Sequence, residues 1–148
     1  MTSARATNAP LELANQLRPV LLRLARELRR ETEQFGVTGS QATLLWLVKR
    51  SPGLSLRALA EMEGISPPAL SGHIDRLERS GLLTRVRSTT DRRRVGLELT
   101  HDGDRLLRSV RERRTAWLAE RLGALDSGDL DAIVAAVEPL RTLLDERS

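Results

Sequence analysis

The stretch from Ile65 to Thr100 restricts the fold of this chain more than any other. It opens as a helix. Ser66 can cap, and Pro67 stands at the first helical position, where a missing N–H costs nothing. Ala69, Leu70, Ile74 and Leu77 then recur at helical spacing on one face. Gly81 is a stop signal. Two short strands follow, residues 82–87 and 95–99, the second alternating apolar and polar side chains. Between them lies Ser88-Thr89-Thr90-Asp91-Arg92-Arg93-Arg94, a polar tip with consecutive arginines. A helix followed by such a hairpin reads as a winged helix-turn-helix. It can set a helix in a DNA major groove and a basic finger in the minor groove beside it.

The segments before it complete the unit. Thr38 or Ser40 opens a helix running to about Arg50, carrying Leu44, Leu45, Leu47 and Val48. Ser51-Pro52-Gly53 is a turn. Ser55 caps a short helix, residues 56–62, with Leu59 and Met62 expected to face inward. Glu63-Gly64-Ile65 is the tight turn that joins it to the next helix. Residues 37–100 thus form one lobe.

Helices flank this lobe on both sides. Residues 11–34 read as a long helix, with Leu17, Leu21, Leu24 and Leu28 as an apolar seam and Gly36 beyond its end. Pro19 interrupts it, so a kink or break is expected there. After the wing, Thr100 and Asp102 are cap candidates for a helix over residues 101–123, with Leu106, Leu107, Val110, Trp117, Leu118 and Leu122 on one face. Ser127 caps a last helix striped with Leu130, Ile133, Val134, Val137, Leu140, Leu143 and Leu144, and Pro139 should kink it. The first and last helices are more apolar than a small winged-helix core can cover. One covering is a single intramolecular bundle. The other is an intertwined homodimer. Residues 10–36 and 101–148 are therefore read as a helical dimerisation region, and residues 1–9 as a disordered arm. The fold class is mainly α, a winged helix-turn-helix with a two-stranded β wing.

Composition closes off other classes. At 148 residues the chain is long enough for a real core. Hydrophobic residues make up 40% and charged residues 30%, a globular balance. No apolar run reaches the roughly 20 residues of a membrane span, and the first residues lack the apolar centre of a secretion signal. These absences favour the cytoplasm and no membrane partner. There is no cysteine, which removes disulfides, thiolate metal sites and thiol redox sensing. His73 and His101 are the only histidines and lie in different elements, so no metal site or other cofactor is expected. No phosphate loop, H-E-x-x-H or G-x-S-x-G is present, so no catalytic residue is assigned. The net charge is +4, but its distribution matters more: Asp75 to Arg94 holds seven arginines against three acids. Such a surface attracts phosphate in a salt-dependent way.

The stretch closely resembles the MarR family of bacterial transcription regulators. The resemblance rests on Gly81-Leu82-Leu83-x-Arg85 after the recognition helix, on Asp91-x-Arg93 in the wing, and on Leu97-x-Leu99-Thr100 with Gly103 beyond. Length and helix order extend it over nearly everything after residue 9. It implies a homodimer whose two recognition helices, roughly 34 Å apart, read a pseudo-palindrome. It also implies that Arg93 enters the minor groove and that Asp91 pairs with it. Peroxide-sensing members rely on a cysteine that this chain lacks.

The candidate DNA-contacting residues follow. Ser66, Pro67, Pro68, Ser71, Gly72 and His73 lie early on the recognition helix, where side chains meet base edges. Ser71 and His73 are the best polar readers, and the prolines and Gly72 suit thymine methyls or close backbone approach. Arg76, one turn on, suits phosphate or a guanine edge. Arg87, Arg92 and Arg94 are candidates for phosphate, as are Ser40, Gln41 and Arg57, although Ser40 serves equally as a cap. Family members often hold a small aromatic or lipophilic effector in a cleft, which here would involve Leu17, Arg18, Leu21, Trp46 and Trp117. Either tryptophan also makes an ordinary core residue. The function expected is that of a sequence-specific regulator, a repressor released by such a ligand. The alternatives are a nonspecific architectural DNA-binding protein or a protein-interaction module without effector; a small hydrolytic enzyme is more distant.

Overall fold

The computed structural model describes residues 8–87 and 95–145. The helices are α1 (Ala9–Glu33), α2 (Gly39–Arg50), α3 (Leu56–Glu63), α4 (Pro67–Arg79), α5 (His101–Gly123) and α6 (Ser127–Asp145). Strands β1 (Leu83–Arg87) and β2 (Val95–Leu99) stand between α4 and α5 and pair antiparallel, with Leu83 opposite Leu99 and Arg85 opposite Leu97. The expected fold class is what is observed. Arg92, Arg93, Arg94 and Asp91 lie outside the described residues, as does most of the expected N-terminal arm.

Capping explains the helix starts. Thr38 rather than Ser40 caps α2: its hydroxyl accepts from Gln41 N–H at 3.1 Å, while Gln41 Oε1 accepts from Thr38 N–H at 3.1 Å. Ser55 and Ser66 cap α3 and α4 through the amides of Ala58 and Ala69. Helix α1 continues through Pro19 and α6 through Pro139, so neither proline breaks its helix. A proline removes one ladder bond, while the bonds on either side can still hold the helix. Met62 is 57% exposed, against expectation. Helix α3 buries Leu59 and Ala60 instead, and Met62 falls off that stripe.

The chain divides into two compact units, residues 1–114 and 115–148. The first contains the core. Leu44, Leu45, Leu47 and Val48 of α2 pack in one cluster with Leu59, Leu70, Ile74, Leu77, Leu83, Leu97 and Val110. The recognition helix is therefore anchored by its Leu70–Ile74–Leu77 stripe, none of which is more than 1% exposed. In the second unit, Arg121 lies over the Trp117 ring at 3.7 Å. Helix α6 buries no residue.

The family signature marks a joint. Gly81 adopts φ +73°, a left-handed turn that favours glycine, and sends the chain from α4 into β1. Leu82 C=O accepts from Thr100 N–H at 3.2 Å. The Thr100 hydroxyl donates to Gly81 C=O at 2.6 Å and accepts from Gly103 N–H at 3.0 Å. Gly103 is buried because α5 starts directly against this turn. A β-carbon there would collide with the Leu82 carbonyl.

Candidate nucleic-acid interface

Helix α4 carries three stripes at spacings of four and three, as a helix requires. Leu70, Ile74 and Leu77 face the core. Ser71, Asp75 and Glu78 form one flank, and Gly72, Arg76 and Arg79 form another. Ser66, Pro67, Pro68, Ser71 and Arg76 are exposed, while Gly72 and His73 are half-buried. A β-carbon on Gly72 would meet open space, so a partner can approach the backbone there. The Nδ1 atom of His73 is enclosed and has no hydrogen-bond partner among the described residues, which turns part of this ring away from the open face.

The hairpin stands on the Asp75 and Glu78 flank. Arg85, in the middle of β1, donates through Nη2 to Asp75 Oδ1 at 2.6 Å and through Nη1 to Glu78 Oε1 at 2.7 Å. Its backbone N–H adds a bond to Glu78 Oε2 at 3.2 Å. The hydrogen bond to Asp75, followed by the charges of Glu78 and Asp75, outweighs the effect of burial and raises the Arg85 pKa above the usual guanidinium value. The Asp75 and Glu78 side chains are 51% and 40% exposed, so each ion pair adds at most about 1 kcal/mol to stability. Arg87 follows at the exposed end of the strand.

A second cationic surface lies at the start of α2. Ser40 is exposed, and its hydroxyl is not the cap. It lines an open cleft of about 670 Å³ with Arg26, Arg29, Arg30, Glu33 and residues 36–39. Gly39 lets the Arg29 stem lie against the helix start, since a β-carbon there would sit 2.9 Å from Arg29 Cγ. Gln41 is buried within the capping box, away from this surface. The sequence reading missed the three arginines because they belong to α1, and only the fold brings them to Ser40. Arg57 of α3 is 88% exposed and lies 3.7 Å from Glu61, an open position for an anion.

The residues considered for an effector are dispersed over three helices. Leu17 is half-buried on α1; Arg18 is exposed and donates to Asn15 Oδ1 at 3.5 Å. Leu21 is 42% and Trp46 45% exposed, with Arg50 over the Trp46 ring at 5.0 Å. Trp117 is buried and belongs to the second unit. Among the described residues there is no group of three or more side chains that could hold a metal ion. None of the helices described is long and apolar enough to cross a membrane.

Comparison with known proteins gives a consistent result. The MarR family model matches residues 37–95, the winged lobe. The chain is 31% identical over 134 residues to an HTH-type transcriptional regulator of Mycobacterium bovis, covering 90% of this chain and 94% of that one. It is 30% identical to the HTH-type transcriptional repressor MdtR of Bacillus subtilis over 88% of this chain and 83% of that one. A MarR family protein from Bacillus stearothermophilus superposes with a TM-score of 0.77, at 23% identity, over 95% of this chain and 98% of that one. Transcriptional regulation is not an enzymatic role, in keeping with a site built of helix caps, arginines and a wing. The chain belongs to the MarR family of winged helix-turn-helix, DNA-binding transcriptional regulators.

Proposed function

We propose that two copies of this chain form a homodimeric cytoplasmic repressor that sits on a pseudo-palindromic operator and leaves it when a small aromatic or lipophilic ligand binds. The observation that carries the reading is the outward face of α4. Ser71, Gly72 and Arg76 stand clear of the core, and the hairpin is clamped to the flank beside them. That arrangement suits a major-groove helix with a minor-groove finger. Direct base readout would come from Ser71, with Ser66, Pro67, Pro68, Gly72 and His73 around it and Arg76 on phosphate or guanine. Asp91 would steady Arg93 in the minor groove, where the negative potential favours a guanidinium. Ser40, Arg57, Arg87, Arg92 and Arg94 would meet the phosphates that set the register.

The dimer reading is supported by apolar surface left in water. Helix α1 exposes Leu11, Leu13, Val20, Leu21, Leu22 and Leu24. Helix α6 exposes Ile133, Val134, Val137, Leu143 and Leu144. Contiguous apolar patches on soluble proteins mark interaction surfaces. The resemblance would place the effector beside Leu17, Arg18, Leu21 and Trp46 of the first unit. It would act only by binding one spacing of the recognition helices better than another.

Selection from a random duplex pool at about 150 mM salt tests this. Enrichment of an inverted repeat with half-sites about 10 base pairs apart is expected. Arg93→Ala should then lose most operator affinity and remain dimeric in sedimentation. Binding without sequence preference that disappears as salt rises would instead make the protein an architectural DNA binder.

A further inference from the structure

We infer that Arg85 is a positioning residue for DNA recognition: by holding Asp75 and Glu78 it fixes the wing at one angle to the recognition helix, and it makes no DNA contact itself. The inference rests on the reading of α4 and the wing as the DNA-contacting pair.

Beyond the Thr100 hydrogen bonds at its root, the hairpin has two kinds of attachment to the lobe. Its base is apolar: Leu83 and Leu97 are 1% and 3% exposed in the common core. Apolar packing is non-directional and resists removal of the hairpin more than its rotation. Arg85 stands two residues beyond Leu83 on the same strand face and directly opposite Leu97. It is thus the next contact outward from the core, toward the wing tip. Its bonds of 2.6 and 2.7 Å reach carboxylates one helical turn apart. Two charge-assisted bonds from one planar group impose direction as well as attraction. The backbone bond to Glu78 fixes the strand's position along the helix as well. A lysine offers a single charged point and would not span both acids in this way.

The chemistry of α4 favours this role over a phosphate contact. Asp75 and Glu78 are acids on a helix that must approach phosphates. Arg85 neutralises them and in doing so commits both terminal nitrogens. An angle fixed between α4 and β1 makes the major-groove and minor-groove readings a single measurement of the duplex. A wing free to swivel would still find phosphates but would lose register with the bases that α4 reads.

The test uses the full chain and the absence of native cysteine. Spin labels at Gly72→Cys and Glu98→Cys, diluted with unlabelled chain, report the distance from helix to wing without DNA. Arg85→Gln and the double variant Asp75→Asn/Glu78→Gln should both broaden that distance distribution, and Arg85→Lys should broaden it less. In unlabelled protein, both disruptions should reduce the preference for operator over scrambled duplex about tenfold, the scale of one mismatched base pair. The salt slope of Arg85→Gln should match that of the wild type. If Arg85 contacts phosphate, Arg85→Gln weakens all duplexes alike and lowers the slope by about one, while the double variant keeps its preference. That result overturns the inference, as does an unchanged distance distribution. If the wild type selects no sequence, the operator reading fails separately, and the inference about DNA recognition fails with it, whatever the labels report about the clamp.

Discussion

Replacing Gly103 with alanine tests the joint between wing and long helix. The residue lies in the first turn of α5, where alanine would normally gain about 1 kcal/mol over glycine. Here the new methyl would collide with the Leu82 carbonyl and approach Leu99 Cδ2 at 3.0 Å. The main obstacle is backbone, so no rotamer change relieves it. Overpacking of this kind costs about 1–3 kcal/mol. Opening the joint also strains the Thr100 bonds to Leu82 and Gly81, each worth about 1 kcal/mol. The expected net loss is about 2–4 kcal/mol, or a fall in Tm on the order of 10 °C. Urea unfolding followed by circular dichroism at fixed protein concentration reads it, since self-association would otherwise shift the midpoint. Gly123→Ala, at the other end of the same helix with nothing within 4 Å, is the control and should be neutral or stabilising. If both variants unfold alike, the close approach at Gly103 is not what fixes α5.

Three further outcomes are expected. Lys49 donates a hydrogen bond to Asp104 and thereby holds that carboxyl below the usual aspartate range. The pair therefore adds stability above about pH 4 and loses it as pH falls through the lowered value; Lys49→Met should melt lower than wild type at neutral pH, with the gap closing in acid. Thr32 is fully buried and its hydroxyl accepts from Arg114 at 2.6 and 3.1 Å, so Thr32→Val should cost about 1–3 kcal/mol in denaturant titration while Thr32→Ser retains most of the stability. Val134 is 66% exposed within the α6 stripe; Val134→Asp should weaken self-association in sedimentation equilibrium without lowering helical content, and an unaltered dimer would remove α6 from that interface.

Much of the fold was legible because its signals are local. Ser66-Pro67 at a helix start, the Leu70–Ile74–Leu77 stripe and the Gly81 turn each state their role within one or two turns of chain. The errors arose where tertiary context decides. Met62 sits at helical spacing from Leu59, yet the core takes Ala60 instead. Pro19 reads as a site for a kink or a break, and α1 is continuous around it, so the break does not occur. Site residues divide the same way. Ser71 and Arg76 are exposed where helix periodicity places them, and Thr38 rather than Ser40 proves to be the cap. The grouping of Arg26, Arg29 and Arg30 beside Ser40, and of Asp75 and Glu78 beneath Arg85, joins separate elements and has no periodic trace in the sequence.

The joint around Thr100 has a mechanical consequence. Strand β2 ends at Leu99 and α5 begins at His101, leaving one residue between them, and both the hydroxyl and the backbone N–H of that residue are engaged. A linker this short stores no slack. Torque applied to the first turns of α5 passes into the root of the hairpin instead of being absorbed by a flexible loop. The wing and the start of this helix therefore behave as two arms of one crank, and displacement of one arm is geared to the other.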